Sequence, residues 1–340
     1  MKEKPDLTRG RKGAELIEDE FLRSHKAYAN ALAAMKDLIG GLSNGGNMGI
    51  RRTLRIVQNM AEQIMDDRNA LLAMSTIRLH SDYLLTHSVN VSILAMCLGR
   101  QIGLSGKALE ELGISGLFHD LGKIMVPQNI LKKRERLGLY EIDELKKHPL
   151  NSVRLIARLR VAPGLKAKII RAPFEHHLKY NLQGYPSVKW KKPVSLFGRI
   201  LAVADVYDAL TSPRNYRRQL PSPDRALAVM LKGSGRDFDP LILKAFIHMI
   251  GIYPVGTVLQ FVNDKMGLVR HVDRGAESHL PAVVLLEPKG NGAFIRGAMI
   301  KLSARPEQRE YAVKESFHPA AFNIQPAEFL TSRRYPNPGN

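Results

Sequence analysis

Residues 13–39 carry apolar side chains at helical spacing, Leu16, Ile17, Phe21 and Leu22 early and Leu32, Met35 and Leu38 late, which predicts an amphipathic helix. A run of glycines at 40–46 breaks it, and a second helix is expected from about 49 to 79. From about 80 to 251 one helical pattern follows another, over 81–102, 106–118, 141–159, 163–178, 194–211, 222–232 and 239–250, with short polar turns between. Strand-like alternation begins only after Gly251-Ile252-Tyr253-Pro254. There, 258–262 and 268–272 flank an Asn263-Asp264 turn and predict a hairpin, and 283–286 and 294–300 predict two further strands. The fold expected is mainly α: an N-terminal helical segment at 1–78, an all-helical domain at 79–251, a small β module at 252–303 and an extended or disordered tail at 304–340.

The chain has 340 residues, 44% of them hydrophobic, enough for a sizeable core. Its one cysteine, Cys97, lies in an apolar helical run, which excludes a disulfide framework and points to a reducing compartment. The start, Met1-Lys2-Glu3-Lys4-Pro5-Asp6, is not a signal peptide, and no run of about 18 apolar residues is present, so no membrane span is expected and the cytoplasm is the default location. The net charge is +19, and residues 71–250 hold 28 basic against 14 acidic groups. Between Arg158 and Lys192 there are nine Lys or Arg and a single acid, Glu175. Such a field concentrates anionic substrates; the plainer alternatives are a solvated basic face or loose affinity for nucleic acid.

That basic segment also contains the chemistry. His119-Asp120 sits in Gly116-Leu117-Phe118-His119-Asp120-Leu121-Gly122-Lys123, and His87, His148, His176, His177 and Asp205 bracket it along the helical region. Singly, each has an ordinary structural explanation: His87 as a core histidine on an apolar helix, His148 before Pro149 as a helix-end residue. Asp205 lies in the apolar run Ile200-Leu201-Ala202-Val203-Ala204, where an unpaired carboxylate is costly. Imidazoles and carboxylates together are the ligands of first-row transition ions, and an ordered set of seven predicts a metal site inside a helical bundle, of the kind that activates water against phosphate esters.

At these residues the chain resembles the HD-GYP family, a branch of the HD phosphohydrolases whose members hydrolyse cyclic di-GMP. The similarity runs from about His80 to Gly256 and includes His87, His119-Asp120, Lys123, His148-Pro149, His176-His177, Gly184-Tyr185-Pro186, Asp205, Asp208 and Arg214-Asn215-Tyr216-Arg217. The resemblance implies an HD-type helical bundle. It implies His87, His119, Asp120, His148, His176, His177 and Asp205 as ligands of divalent ions, iron or manganese, with Asp120 central to catalysis. Lys123, Arg214 and Arg217 match phosphate-contacting positions, Tyr185 lies in the signature turn beside the substrate, and Asp208 matches an acid either on the substrate side or behind a ligand. The family's Glu after the tandem histidines and its following Asp-Gly are replaced by Leu178, Asn181 and Leu182, and the Glu of three-metal members, four residues before His87, is Tyr83; two ions are therefore expected. The implied activity is a phosphodiesterase giving linear dinucleotide or GMP and lowering second-messenger signalling. The alternatives are hydrolysis of another nucleotide, or a catalytically weak domain that binds a nucleotide or a signalling-protein partner. The N-terminal helices also offer a surface for pairing into a homodimer.

Overall fold

The computed structural model describes residues 7–43, 50–66, 68–76, 83–133, 135–189, 192–212, 220–272, 281–290, 292–303 and 306–331. The helices are α1 (Leu7–Ser43), α2 (Ile50–Asp66), α3 (Arg68–Thr76), α4 (Tyr83–Gln101), α5 (Gly106–Phe118), α6 (Gln128–Leu131), α7 (Leu139–Leu145), α8 (His148–Arg158), α9 (Pro163–Ile169), α10 (Arg171–Glu175), α11 (Leu196–Thr211), α12 (Pro223–Leu231), α13 (Pro240–Ile250) and α14 (Pro326–Thr331). A 3-10 turn, Leu121–Met125, follows α5. The strands are β1 (Val258–Phe261), β2 (Met266–Val272), β3 (Pro281–Gly290), β4 (Ala293–Lys301) and β5 (Val313–Phe317). Among the described residues no helix is long and apolar enough to cross a membrane.

α4 and α11 are apolar on nearly every face because they are buried on nearly every face: His87 through Gly99 is one continuous buried run, and α11 buries Ile200 through Asp205 without interruption. α5 lies close against α4, since a Cβ at Gly116 would stand 2.8 Å from the Ser92 Cα. Of the apolar positions read in α1, Met35 and Leu38 are buried and Leu32 packs half-buried against the core, whereas Leu22 is exposed and the side chains of Leu16, Ile17 and Phe21 lie outside the described residues. Tyr28, Ala31, Met35 and Leu38 from α1 and Val57, Met60, Ala61 and Ile64 from α2 are buried at three- and four-residue spacing and join the same hydrophobic cluster as α4, α5 and α11. The N-terminal segment is packed into the same core as α4, α5 and α11.

Three expected elements differ. The helix read over 141–159 is two helices, α7 and α8, because Pro149 cannot donate an amide to the Leu145 carbonyl. The helix read over 163–178 likewise breaks into α9 and α10, with Pro173 inside the second. The tail expected to be extended or disordered from 304 instead contributes β5, which pairs antiparallel with β1 in the register Val258↔Phe317, and then α14. The antiparallel sheet therefore has order β4-β3-β2-β1-β5, one strand more than the sequence suggested. Its own small core is Leu259, Phe261, Val269, Val283, Leu285 and Leu302.

Candidate metal centre

His119 and Asp120 emerge where α5 ends. Phe118 is the last helical residue, Asp120 has φ −100 and ψ 6, and the chain then winds into the 3-10 turn. That change of winding lets two adjacent side chains, which a continuous helix would splay about 100° apart, converge on one point. His87 comes from α4, His148 from the first residue of α8, the tandem His176-His177 from the end of α10, and Asp205 from α11. All seven residues expected as ligands are brought together. Asp120 is the hub: its Oδ1 lies 3.2 Å from His148 Nε2 and 3.9 Å from His176 Nε2, and its Oδ2 lies 3.3 Å from His119 Nε2 and 3.5 Å from His87 Nε2. Asp205 Oδ1 is 3.0 Å from His87 Nε2, and its Oδ2 is 3.8 Å from His177 Nδ1.

Two overlapping sets of donor atoms result. Asp120, His148, His176 and His177 form one, His87, His119 and Asp120 the other, and within each set the donors lie within 4.8 Å of one another. His119 Nε2 and Asp120 Oδ1 are buried without a hydrogen-bond partner. Polar atoms left this way are costly unless something else engages them, and nitrogen and carboxylate oxygen are suitable donors for a divalent transition ion. The residues present fit such an ion.

Three of the imidazoles are aimed by one local device. His119 Nδ1 contacts the Gly116 carbonyl, His148 Nδ1 the Leu145 carbonyl, and His176 Nδ1 the Pro173 carbonyl, each at 2.7 Å and each three residues earlier in the chain. All three sit at helix ends, where carbonyls of the last turn have capacity left to accept; the Gly116 carbonyl also takes the His119 backbone N–H at 3.5 Å. The Leu145 carbonyl is the one that Pro149 cannot serve. With the Nδ1 hydrogen directed at the carbonyl, Nε2 is left as a lone pair pointing inward. His87 is mid-helix and has no free carbonyl; its Nδ1 instead bonds Asp208 Oδ2 at 2.7 Å.

That contact corrects the substrate-side reading of Asp208. Its side chain is fully buried behind His87, with Asn90 Nδ2 donating to Oδ1 at 3.0 Å and Ser212 Oγ donating to Oδ2 at 2.9 Å. Among the described residues it is joined to the centre through the imidazole of His87. Lys123 places its ammonium on Asp120 Oδ2. Tyr185 lies against His177 with ring centroids 4.4 Å apart and the planes inclined by 33°. The turn that carries Tyr185 is closed by a bridge between Leu178 and Gly184 and by Lys179 N donating to the Gln183 carbonyl at 2.7 Å. Gly184 has φ +100, and a Cβ there would stand 2.3 Å from the His177 carbonyl oxygen, so only glycine fits. Leu182 holds φ +67 without that freedom, at the position where the family has glycine. Arg214 and Arg217 lie outside the described residues.

Sequence reasoning missed four supporting residues. Ser152 accepts from Gly122 N at 2.7 Å and donates to the His119 carbonyl at 2.9 Å, tying the 3-10 turn to α8. Glu175, 1% exposed, takes Arg171 Nε at 2.7 Å and Ser195 N at 2.9 Å, and so links the tandem histidines to the start of α11. Asn90 and Ser212 hold Asp208. Two left a trace in the sequence: Glu175 as the single acid in a basic stretch, and Asn90 as a polar residue one turn after His87 on a largely apolar helix.

Electrostatics follow from burial. Desolvation lowers His148 to about 4 and His177 to about 3, and lowers His176 well below its ordinary value, all against partial compensation by carboxylates. Burial acts the same way on His87, but hydrogen bonds to Asp205 and Asp208 outweigh it and raise that ring to about 9. Burial would raise Asp120 and Asp205; Lys123 and the histidines hold the first, His87 and its neighbours the second, well below the usual carboxylate range. A pH profile follows for the metal-free protein. Below pH 6.5 the unfolded chain takes up protons that His148, His176 and His177 refuse in the fold, so stability falls as pH drops. Above pH 6.5 the fold retains a proton on His87 that the unfolded chain has lost, so stability falls as pH rises toward 9. Urea unfolding of the metal-free chain is expected to show maximal stability near pH 6.5, with the steeper decline on the acid side where three rings act together; a flat profile from pH 5 to 8.5 would contradict it.

Comparison with known proteins agrees with this geometry. The chain is 30% identical over 253 residues to "Cyclic di-GMP phosphodiesterase PA4108" of Pseudomonas aeruginosa, covering 74% of this chain and 60% of that protein. It is 30% identical over 174 residues to "3'3'-cGAMP-specific phosphodiesterase 3" of Vibrio cholerae, covering 51% of this chain and 37% of that protein. The chain thus spans 60% or less of the length of either relative. Among solved structures, the fold is similar to Bd1817, a HDG"Y"P protein from Bdellovibrio bacteriovorus, with a TM-score of 0.55 at 16% identity over 69% of this chain and 76% of that one. The family model described as HD domain matches residues 53–242, which contain all seven clustered histidines and aspartates, and the chain belongs to the HD domain family.

Proposed function

We propose that this chain is a metal-dependent phosphodiesterase that hydrolyses cyclic di-GMP to the linear dinucleotide or GMP. The observation that carries the reading is the pair of buried donor sets sharing Asp120, with His119 Nε2 and Asp120 Oδ1 lacking any hydrogen-bond partner. Asp120, His148, His176 and His177 would hold one ion, and His87, His119 and Asp120, with Asp205 beside His87, would hold the other. Iron or manganese suits this mixed imidazole and carboxylate set. When bound, the two ions supply Lewis acidity and a water nucleophile at neutral pH. The chain's own groups do the rest. The depressed basicity of His148, His176 and His177 keeps their lone pairs available at neutral pH. Lys123, with a 19% exposed side chain beside Asp120, binds a non-bridging phosphate oxygen, and Tyr185 flanks the substrate over His177. Arg214 and Arg217 provide further phosphate contacts, and the basic excess of the surrounding segment draws the anionic substrate in.

A second reading is hydrolysis of a mixed cyclic dinucleotide, favoured by the relative named as specific for 3'3'-cGAMP and by Leu178, Asn181 and Leu182 in the turn beside Tyr185. Anaerobically purified protein loaded with iron or manganese, incubated with each cyclic dinucleotide and followed by chromatography, tests both. Linear dinucleotide or GMP from cyclic di-GMP is the expected result. Exclusive turnover of the mixed dinucleotide would favour the second reading, and no turnover of either at two ions per chain would overturn both.

A further inference from the structure

Asp208 lies in the last turn of α11, where the helix dipole disfavours a negative charge, yet it is fully buried. Among the described residues its carboxylate meets His87, Asn90 and Ser212, and two of the routes to it begin outside the helices that carry the metal-facing residues. The first starts on α1. Tyr28, 2% exposed, donates its hydroxyl hydrogen to Asn90 Oδ1 at 2.8 Å; Asn90 Nδ2 donates to Asp208 Oδ1 at 3.0 Å; and Asp208 Oδ2 meets His87 Nδ1 at 2.7 Å. The second starts after β5. His318, 5% exposed, accepts from Ala320 N at Nδ1 over 3.2 Å, which leaves its hydrogen on Nε2. That Nε2 donates to the Thr211 carbonyl at 3.1 Å, fixing the end of α11, and the next residue, Ser212, donates to Asp208 Oδ2 at 2.9 Å.

We propose that Tyr28 and His318 are positioning residues for His87, joining α1 and the C-terminal segment to the ion-facing imidazole through Asp208. Phenylalanine would fill the space of Tyr28 in this core; the hydroxyl is what differs. It sets the orientation of the Asn90 amide, with the oxygen toward Tyr28 and the NH2 toward Asp208. An Asp208 carboxylate held at both oxygens fixes the ring of His87, and through it the direction of Nε2 toward Asp120 and Asp205. The fold thereby makes the ion-holding geometry depend on two segments that contribute no ligand themselves, and whatever shifts α1 or the strand before His318 is read out at His87.

The inference rests on the metal reading above, so its test uses two readouts on metal-loaded full-length protein: the rate of ion release to a chromogenic chelator, and kcat and KM for cyclic di-GMP. Tyr28→Phe is expected to unfold at a temperature close to wild type. Its ion release should quicken on the order of threefold, less than the roughly 10- to 100-fold cost of losing a direct partner of a ligand, and kcat should fall with KM within about twofold. His318→Asn keeps an oxygen that accepts from Ala320 N and is too short to reach Thr211; it should behave like Tyr28→Phe. His318→Gln, whose amide reaches as far as Nε2, should restore both readouts. Wild-type release rates and kcat in both Tyr28→Phe and His318→Asn would overturn the proposal. A wild-type chain that retains no ion would overturn it together with the metal reading, a result distinguishable from the first.

Discussion

Asp120→Asn is expected to lower turnover of cyclic di-GMP by on the order of a thousandfold or more, the scale on which loss of a central member of a cooperating set acts. The substitution keeps the shape of the side chain and removes its charge. Asp120 belongs to both donor sets, with His148 and His176 facing one oxygen and His119 and His87 facing the other. An amide there presents an NH2 group to imidazole nitrogens whose lone pairs point inward, and it cannot share its charge between two cations. Retained ions should fall from two per chain to one or fewer, measured by elemental analysis after gel filtration. The fold should persist, because α5 ends and the 3-10 turn begins through backbone contacts and Ser152, which the substitution leaves alone. Wild-type turnover in Asp120→Asn with a wild-type metal content would remove Asp120 from the mechanism.

The largest effect on stability is expected at Gly122, two residues further on. A Cβ there would stand 2.0 Å from the His148 carbonyl oxygen, 2.4 Å from Ser152 N and 2.8 Å from Asn151 Cβ. Two of these are backbone atoms and the third is fixed to the backbone, so no flexible side chain can swing aside. Gly122→Ala must push the 3-10 turn and α8 apart and stretch the bond from Gly122 N to Ser152 Oγ, now 2.7 Å. The cost is about 3 kcal/mol or more, at the upper end for overpacking. The displacement also separates Asp120 from His148, so metal retention and turnover should fall along with the unfolding temperature. Thermal unfolding checks the first part and metal analysis the second; an unfolding temperature within about 2 °C of wild type would contradict the close approach.

The helical character of α4 and α11 was legible from their long apolar runs, and the seven clustered residues were legible only as an ordered set matched to the HD-GYP resemblance, each having an ordinary structural explanation by itself. The breaks at Pro149 and Pro173 had a local signal as well, and reading continuous helices through them underweighted the missing amides. β5 was not legible. Val313-Lys314-Glu315-Ser316-Phe317 is short and polar, and it becomes a strand by pairing with β1, more than fifty residues away. For Asp208 the sequence left two places open, on the substrate side or behind a ligand, and a spacing of three from Asp205 could not choose between them; the contact with His87 Nδ1 selects the second. Three residues are about 300° of rotation, and the remaining offset carries Asp208 to the far side of His87. Ser152, Asn90, Ser212 and Tyr28 are ordinary residue types that acquire a role only through tertiary contacts.

Stripped of metal and then titrated with manganese or ferrous iron under anaerobic conditions, the protein should be inactive toward cyclic di-GMP at zero equivalents and reach full turnover at two ions per chain, the occupancy the two donor sets around Asp120 call for. Full turnover without added metal, or a plateau at a single equivalent, would contradict a two-ion phosphodiesterase built on these seven residues.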